Sequence, residues 1–347
     1  MKRIRSKRVA PRPPTTPRTK TLTPAASVVE RLDEIERSGG DGSLELGRGV
    51  TLSVSSLGKV FFPRERYTKG DVMRYYARVE GYILPVMRDR PLVLKRYPNG
   101  IEGESFYQQK APDRVPRGVR VETIRNERGE QQRRFIGGDL ATLLYAIQLG
   151  AISVDPWHSR VPHLDRADFT ILDLDPGPKA SFSRVVDVAK LVHEELDALK
   201  LTAVPKTSGS SGMHIVVPLD PAVSDESAVL VAQVIATRVA SRAPGIATIE
   251  RSVSARPADA IYVDYLQNIR GKTVAAAYSV RAKPGATVST PLEWREVDGR
   301  LDPRDFTIDT VPDRLRRRGD IWARGMKKGN SIHALLEAAS RKPKTRR

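Results

Sequence analysis

The 347 residues are enough for one large or two ordinary domains with a sizeable core. Hydrophobic residues make up 39% against 29% charged, and no run approaches the ~20 apolar residues of a membrane span, so a soluble chain is expected. A formal net charge of +18 calls for a polyanionic partner, most commonly nucleic acid, while zero cysteines exclude disulfides and thiolate zinc sites. An anionic membrane is the weaker rival, because no basic helix with a strong apolar face is present. Metal ligation is left to carboxylates, five histidines and main-chain oxygens, a set suited to magnesium or manganese.

The first twenty residues hold eight Lys or Arg, four Pro and no acid. They cannot bury enough apolar surface to offset ordering entropy, so residues 1–43 are expected to form a largely disordered basic arm. That arm is either a solubilising tail or a non-specific phosphate contact. No apolar signal-peptide core follows the basic start, which points to the cytosol. Val28, Val29, Leu32 and Ile35 have helical spacing, ended by Ser38-Gly39-Gly40-Asp41-Gly42, and continuous order is expected from near Leu44. Thr68 and Asp71 have capping-box spacing ahead of an apolar-periodic run through Tyr82, which puts Lys69 at a helix N-terminus. Residues 92–96 and 104–108 read as a hairpin around Pro98-Asn99-Gly100. From Asp168 onward strands and helices alternate: strand 168–174, helix 183–199, strands near 202–206 and 213–218, helix 225–242, then strands near 260–266 and 273–281. This order predicts an α+β sheet with helices packed on one face. A second short basic tail closes the chain at 336–347.

Three segments carry candidate chemistry. In Leu172-Asp173-Leu174-Asp175-Pro176-Gly177 the two acids are two apart on a strand and share a face. Converging carboxylates repel unless a cation sits between them; the bland alternative is a turn at a strand end. Asp264 interrupts the apolar strand Ala260-Ile261-Tyr262-Val263, where an acid is costly unless paired, coordinated or exposed at an edge. Between them, Lys206-Thr207-Ser208-Gly209-Ser210-Ser211-Gly212-Met213-His214 is a Gly/Ser loop between strands. Its small residues would let successive main-chain N–H groups approach phosphate oxygens, although a flexible turn explains it equally well.

These elements in this order closely resemble the polymerase domain of bacterial DNA ligase D, within the archaeo-eukaryotic primase superfamily. Lys59-Val60-Phe61-Phe62-Pro63, Tyr67-Thr68-Lys69-Gly70-Asp71, Arg96-Tyr97-Pro98-Asn99-Gly100 and Gly103-Glu104-Ser105-Phe106-Tyr107 carry the likeness in the first half. In the second half it is carried by the Asp173 and Asp175 segment, Thr207-Ser208-Gly209 with Gly212-Met213-His214, Asp264-Tyr265-Leu266-Gln267-Asn268, Tyr278-Ser279-Val280-Arg281 and Pro291-Leu292-Glu293-Trp294. It covers roughly residues 45–325. The fold it implies is a primase-like catalytic core with a mixed, largely antiparallel sheet and flanking helices, plus an N-terminal α/β subregion. A single domain would span 44–335, divided into an end-binding part at about 44–165 and a catalytic part at about 166–335.

The resemblance implies a metal-binding catalytic triad of Asp173, Asp175 and Asp264 with two manganese or magnesium ions, and no zinc. It implies nucleotide contacts from Ser208, Gly209, Ser210, Ser211, Gly212, His214, Gln267, Arg281 and Arg256, with Lys272 as a further helper. Lys59 and Lys69 match the pair that grips a DNA 5′-phosphate, and a lysine at a helix N-terminus is physically suited to that role. Phe106 and Tyr107 match aromatics that stack on the template, against the alternative that a hairpin pair fills core. Two departures stand out: Ser211 replaces a lysine common between the loop glycines, and Ser153-Val154-Asp155-Pro156-Trp157 lacks the family's His, leaving Asp155 or His158 nearby. The function implied is gap filling and 3′-end extension in bacterial non-homologous end joining, favouring ribonucleotides, in a nucleoid-associated cytoplasmic setting. Its expected partners are gapped or broken DNA, nucleoside triphosphates, a Ku-type end-binding protein and a separate ATP-dependent ligase, since no Lys-x-Asp-Gly ligase signature occurs. A primer-synthesising primase-polymerase and a non-catalytic end-binding factor are the rivals; burying three uncompensated carboxylates as a relic argues against the second.

Overall fold

The computed structural model describes residues 24–125, 128–220 and 223–331. The basic tail at 336–347 and residues 1–23 of the expected arm lie outside these residues. In the rest of that arm the short helix expected from its apolar spacing is present. Helix α1 (Pro24–Arg37) is formed, and Val28, Leu32 and Ile35 are buried at i, i+4 and i+7. Order therefore begins well before Leu44.

The first half continues with two hairpins, β1 (Gly42–Glu45) with β2 (Thr51–Val54) and β3 (Val60–Phe62) with β4 (Tyr67–Thr68). Helices α2 (Lys69–Arg78) and α3 (Glu80–Met87) replace the single run expected through Tyr82. Val79, at φ −106° and ψ 11°, leaves the helical region between them and stays buried together with Ile83 and Met87. Thr68 and Asp71 form the expected capping box, each side chain accepting the other's main-chain N–H. Strands β5 (Leu92–Arg96) and β6 (Phe106–Gln108) form the predicted hairpin. They are followed by β7 (Val121–Arg125), β8 (Gln131–Phe135), α4 (Leu140–Gln148) and β9 (Ala151–Pro156), the last pairing with the other edge of β5.

The second half holds the main sheet. Its elements are β10 (Phe169–Pro176), α5 (Phe182–Ala198), β11 (Val204–Thr207), β12 (Met213–Pro218), α6 (Asp225–Arg242), β13 (Ala247–Thr248) and β14 (Ile261–Asp264). Ser181 and Ser224 cap α5 and α6 by accepting from Arg184 N and Ser227 N. The strand order is β11-β12-β10-β14-β13, antiparallel except for the β13–β14 pair. Helices α7 (Thr310–Arg318) and α8 (Ile321–Gly325) follow.

Strand alternation divides this sheet into two faces. Leu172, Leu174, Met213, Ile215, Val217, Ile261 and Val263 pack with α5 and α6 in one apolar cluster. Phe169, Ile171, Val204 and Val216 point the other way, into a core shared with the first half of the chain. Helices thus cover one face, as expected, and the odd-numbered positions of β10 carry Asp173 and Asp175 to the other.

The expected strand at 273–281 is not regular. Tyr278 sits at φ +70° with its hydroxyl bonded to Asp320 Oδ1 at 2.7 Å, and this left-handed residue breaks the extended run. The segment instead lies between β9 and residues 287–290, with Ala276 N donating to Val154 O and Tyr278 N to Ser289 O.

Candidate active site

Register brings the acids together. Asp173 lies directly across from Asp264 on β14 and from His214 on β12, and His214 in turn lies across from Lys206 on β11. Asp175 pairs with Tyr262, two residues from Asp264, so all three carboxylates share the face opposite α5 and α6. A row of Lys206, His214, Asp173 and Asp264 therefore crosses four strands. Asp173 and Asp264 are each 8% exposed. Burial, then Asp175 and Asp264, push the Asp173 carboxyl well above its ordinary range; burial, then Asp264, raise Asp175. Asp264 is held by Leu266 N at 2.7 Å, Gln267 Nε2 at 3.1 Å and the Tyr262 hydroxyl at 3.3 Å.

The donor set fits a hard divalent cation: three oxygen ligands on one face, two of them destabilised by their neighbours' charge. No three His, Cys, Asp or Glu side chains among the described residues are drawn close enough to hold an ion as they stand. Asp264 is engaged by its own loop.

The Gly/Ser loop closes the β11–β12 hairpin beside this row. Ser208 Oγ accepts from Ser210 N at 3.1 Å and Gly212 N at 3.2 Å, so two of the amides expected to face phosphate are satisfied within the loop. Both glycines are required by close approach. A Cβ on Gly212 would lie 2.3 Å from Leu174 O; one on Gly209, at φ +70°, would lie 2.6 Å from Arg281 Cγ. Arg281 Nη1 donates to Ser208 O at 3.4 Å. A polar cleft of about 230 Å³ results, into which Asp173, Asp175, Ser210, Ser211, His214 and Arg281 all open.

Other expected nucleotide residues sit around this cleft in different ways. Gln267 reaches Asp264 and supports the triad. Arg256 lies over the Tyr262 ring, 3.5 Å from its centroid, and donates to Glu250 O and Arg251 O on the Asp175 side. Lys272 is exposed. Of the two residues near the missing histidine, Asp155 reaches the cleft, with Oδ2 accepting from Ser153 Oγ at 3.1 Å and Oδ1 buried without a partner. His158 instead packs against Phe169, ring centroids 4.9 Å apart.

Lys59 and Lys69 are held together by the main chain, because Lys69 N donates to Lys59 O at 2.8 Å across the β3–β4 hairpin. The Lys59 ammonium donates to Asn99 Oδ1 at 2.8 Å, and Lys69 Nζ to Gln148 Oε1 at 3.3 Å. Burial, then the Lys59 charge, lower Lys69 to about 8, an arrangement that an anion between the two would relieve. The N-terminus of α2 does not offer this pair the free amides expected of it. The first amides of α2 are already used: Lys69 N by Lys59 O, Gly70 N by Leu57 O and Asp71 N by Thr68 Oγ1. The ammonium groups, not the helix end, are what this corner offers a phosphate.

Phe106 and Tyr107 are 47% and 65% exposed, so they do not fill core. Arg96 lies 5.0 Å from the Phe106 ring centroid and Lys95 5.4 Å from that of Tyr107, so each ring, on its own face of β6, is backed by a cation. Tyr107 also reaches the cleft.

Lys206 was not singled out from sequence as a site residue. It is 1% exposed, and its ammonium meets His214 Nδ1, Ser289 Oγ and Ala275 O. The signal was present: a cation in a short apolar strand is as anomalous as Asp264 in its own.

Residues 68–322 match the family described as LigD, primase-polymerase domain. The chain is 33% identical over 269 residues to the bifunctional non-homologous end joining protein LigD of Bacillus subtilis, covering 77% of this chain and 43% of that protein. It is 32% identical over 284 residues to the multifunctional non-homologous end joining DNA repair protein LigD of Mycobacterium tuberculosis, covering 79% and 37%. The LigD of Pseudomonas aeruginosa is 33% identical over 268 residues, covering 75% and 31%. The chain thus spans less than half the length of these curated relatives. Among solved structures, the polymerase domain from Mycobacterium tuberculosis ligase D in complex with DNA superposes with a TM-score of 0.74 at 29% identity, covering 80% of this chain and 99% of that one.

Proposed function

The chain belongs to the LigD primase-polymerase family, and from that premise we propose that it is a template-directed nucleotidyltransferase that extends 3′ ends and fills gaps at DNA breaks. The observation that carries the reading is the placing of three carboxylates on one sheet face, beside a cleft that also holds Arg281 and the serine loop. That pairing of an acidic face with a cationic and hydroxyl-rich wall suits a nucleoside triphosphate, whose charge must be both bridged and neutralised.

Asp173, Asp175 and Asp264 are the residues that would hold manganese or magnesium. When bound, such ions supply Lewis-acid activation of the primer hydroxyl and charge for the departing pyrophosphate. The protein's own groups do the rest. Arg281, fixed by its packing on Gly209 and its bond to Ser208 O, holds negative charge at the triphosphate end. Ser210, Ser211 and His214 line the same cleft and offer donors to phosphate oxygens. Gln267 and Leu266 N orient Asp264. Lys59 and Lys69 hold the 5′-phosphate on the far side of a gap, which fixes gap length by the distance between two charge sites. Phe106 and Tyr107 stack on template bases, the face-on contact that reads shape without sequence.

A preference for ribonucleotides, a Ku-type end-binding partner, a separate ligase and a nucleoid-associated cytoplasmic location belong to the same proposal; no helix among the described residues is long and apolar enough to cross a membrane. Primer extension on a gapped duplex, with and without a 5′-phosphate, in manganese and labelled nucleotide, tests the reading. Extension that depends on the 5′-phosphate supports it. Synthesis on unprimed single strands would replace it with a priming enzyme, and binding without incorporation with an end-binding factor.

A further inference from the structure

We propose that Glu65 is a positioning residue: by holding the tip of the hairpin at residues 280–288, it keeps Arg281 in place for the nucleotide's triphosphate. This deepens the polymerase reading and rests on it for its catalytic consequence.

Arg281 is set by main-chain bonds. Val280 pairs with Val288, Arg281 N donates to Thr287 O at 2.7 Å, and Lys283 N donates to Arg281 O at 2.8 Å. Both peptide groups of Arg281 therefore belong to one tight turn. At its tip Gly285 and Ala286 sit at φ +87° and +46°. A left-handed residue that is not glycine persists only where its surroundings impose it. Two outside contacts do so: Gly285 N donates to Glu65 Oε1 at 2.8 Å, and Ile308 N donates to Ala286 O at 3.2 Å. The same hairpin touches the Gly/Ser loop, with Thr287 Oγ1 donating to Gly209 O at 2.6 Å. A shift at the tip thus reaches both the cation and the loop that line the triphosphate end of the cleft.

Glu65 comes from the turn between β3 and β4, 220 residues earlier in the chain. Two residues on, the Tyr67 hydroxyl donates to Asp309 Oδ2, beside the segment that pairs with the 280–288 hairpin through Thr287 and Thr307. The open end of the same β3–β4 pair carries Lys59 and Lys69, so both anion sites of the proposed enzyme hang on one hairpin. Ion pairing does not account for Glu65. Arg64 Nε lies 3.9 Å away on a side chain 84% exposed, a pair worth little. Glu65 Oε2 is buried without a hydrogen-bond partner among the described residues. A carboxylate kept there at that cost is explained by its bond to Gly285 N, and a main-chain N–H can only donate, so the direction of that bond is fixed.

The test separates the bond from the fold. Glu65→Ala removes the acceptor, and Glu65→Gln keeps an oxygen for Gly285 N without the charge. In primer extension on a gapped duplex with manganese, Glu65→Ala should raise KM for nucleotide about 10-fold with kcat little changed, while Glu65→Gln should stay within about twofold of the unaltered protein. In an Arg281→Gln background, Glu65→Ala should add nothing further to KM, because residues that act through one contact are not additive. Unchanged KM in Glu65→Ala, a Glu65→Gln as impaired as Glu65→Ala, or a full further loss in the Arg281→Gln background overturns the proposal. Hydrogen exchange at the Gly285 amide, read by NMR on the intact protein, needs no polymerase activity. That amide should be protected in the unaltered protein and in Glu65→Gln, and should exchange about 10-fold faster in Glu65→Ala. An unprotected Gly285 amide in the unaltered protein overturns the proposal even if Glu65→Ala does not fold, and does so whether or not the chain proves to be a polymerase.

Discussion

The two faces of the five-stranded sheet are built from the same strands and differ by one residue of register. On the helix side, Leu172 and Leu174 disappear into apolar packing with α5 and α6. On the other side, Asp173 is buried and Asp175 is exposed at the strand end, and desolvation and neighbouring carboxylates raise the proton affinity of both. A buried leucine contributes about 2–3 kcal/mol of transfer free energy, whereas a buried polar group left unpaired costs about 1–3 kcal/mol. One face therefore stabilises the fold and the other draws on that stability to hold a reactive arrangement. The site face is itself graded: Phe169 and Ile171 at the start of β10 are packed under the first half of the chain, and only its last turn-ward positions are acidic.

That division predicts how the faces should fail. Asp175→Ala should lower extension by about 10³-fold, roughly 4 kcal/mol of transition-state stabilisation, with DNA affinity by fluorescence anisotropy little changed. Retained extension would break the assignment of the acidic face to chemistry. Leu196→Ala, on α5 against the opposite face, should cost about 3 kcal/mol of stability and lower Tm by roughly 6–12 °C, while kcat of the folded protein holds. A matching loss of kcat would show that the faces are not separable. Away from both, Lys69→Ala should weaken binding to a 5′-phosphorylated gap about 10-fold and reduce the salt dependence by about one counterion, leaving the unphosphorylated gap unaffected. The smallest effect is a gain. Ser211→Lys places a cation at the exposed loop position and should lower KM for nucleotide about 5-fold, near 1 kcal/mol, in steady-state extension.

The acidic face was legible because it rests on the simplest periodicity. Residues 173 and 175 must share a face on any strand, and an aspartate in an apolar strand at 264 marks itself. Helix 225–242 and the Thr68–Asp71 cap were equally local, set by Ser224, Asp71 and apolar spacing. What escaped depends on partners far away in the chain. The extended look of 273–281 hides the left-handed Tyr278, whose hydroxyl is fixed by Asp320. Lys206 looked like a loop border because its three partners come from residues 214, 275 and 289. The amides at the start of α2 looked available for an anion because spacing does not reveal that the chain at 57 and 59 already takes two of them. Helix α1 was legible from the spacing of Val28, Leu32 and Ile35, and only its place within an arm read as largely disordered was off.

The contact between Gly212 and the Leu174 carbonyl has a consequence for how this enzyme can change over generations. With 2.3 Å between that oxygen and any added Cβ, the loop glycine is closed to substitution without moving the strand between Asp173 and Asp175. Change within this hairpin is therefore left to the neighbouring Ser210 and Ser211, which line the cleft without that constraint.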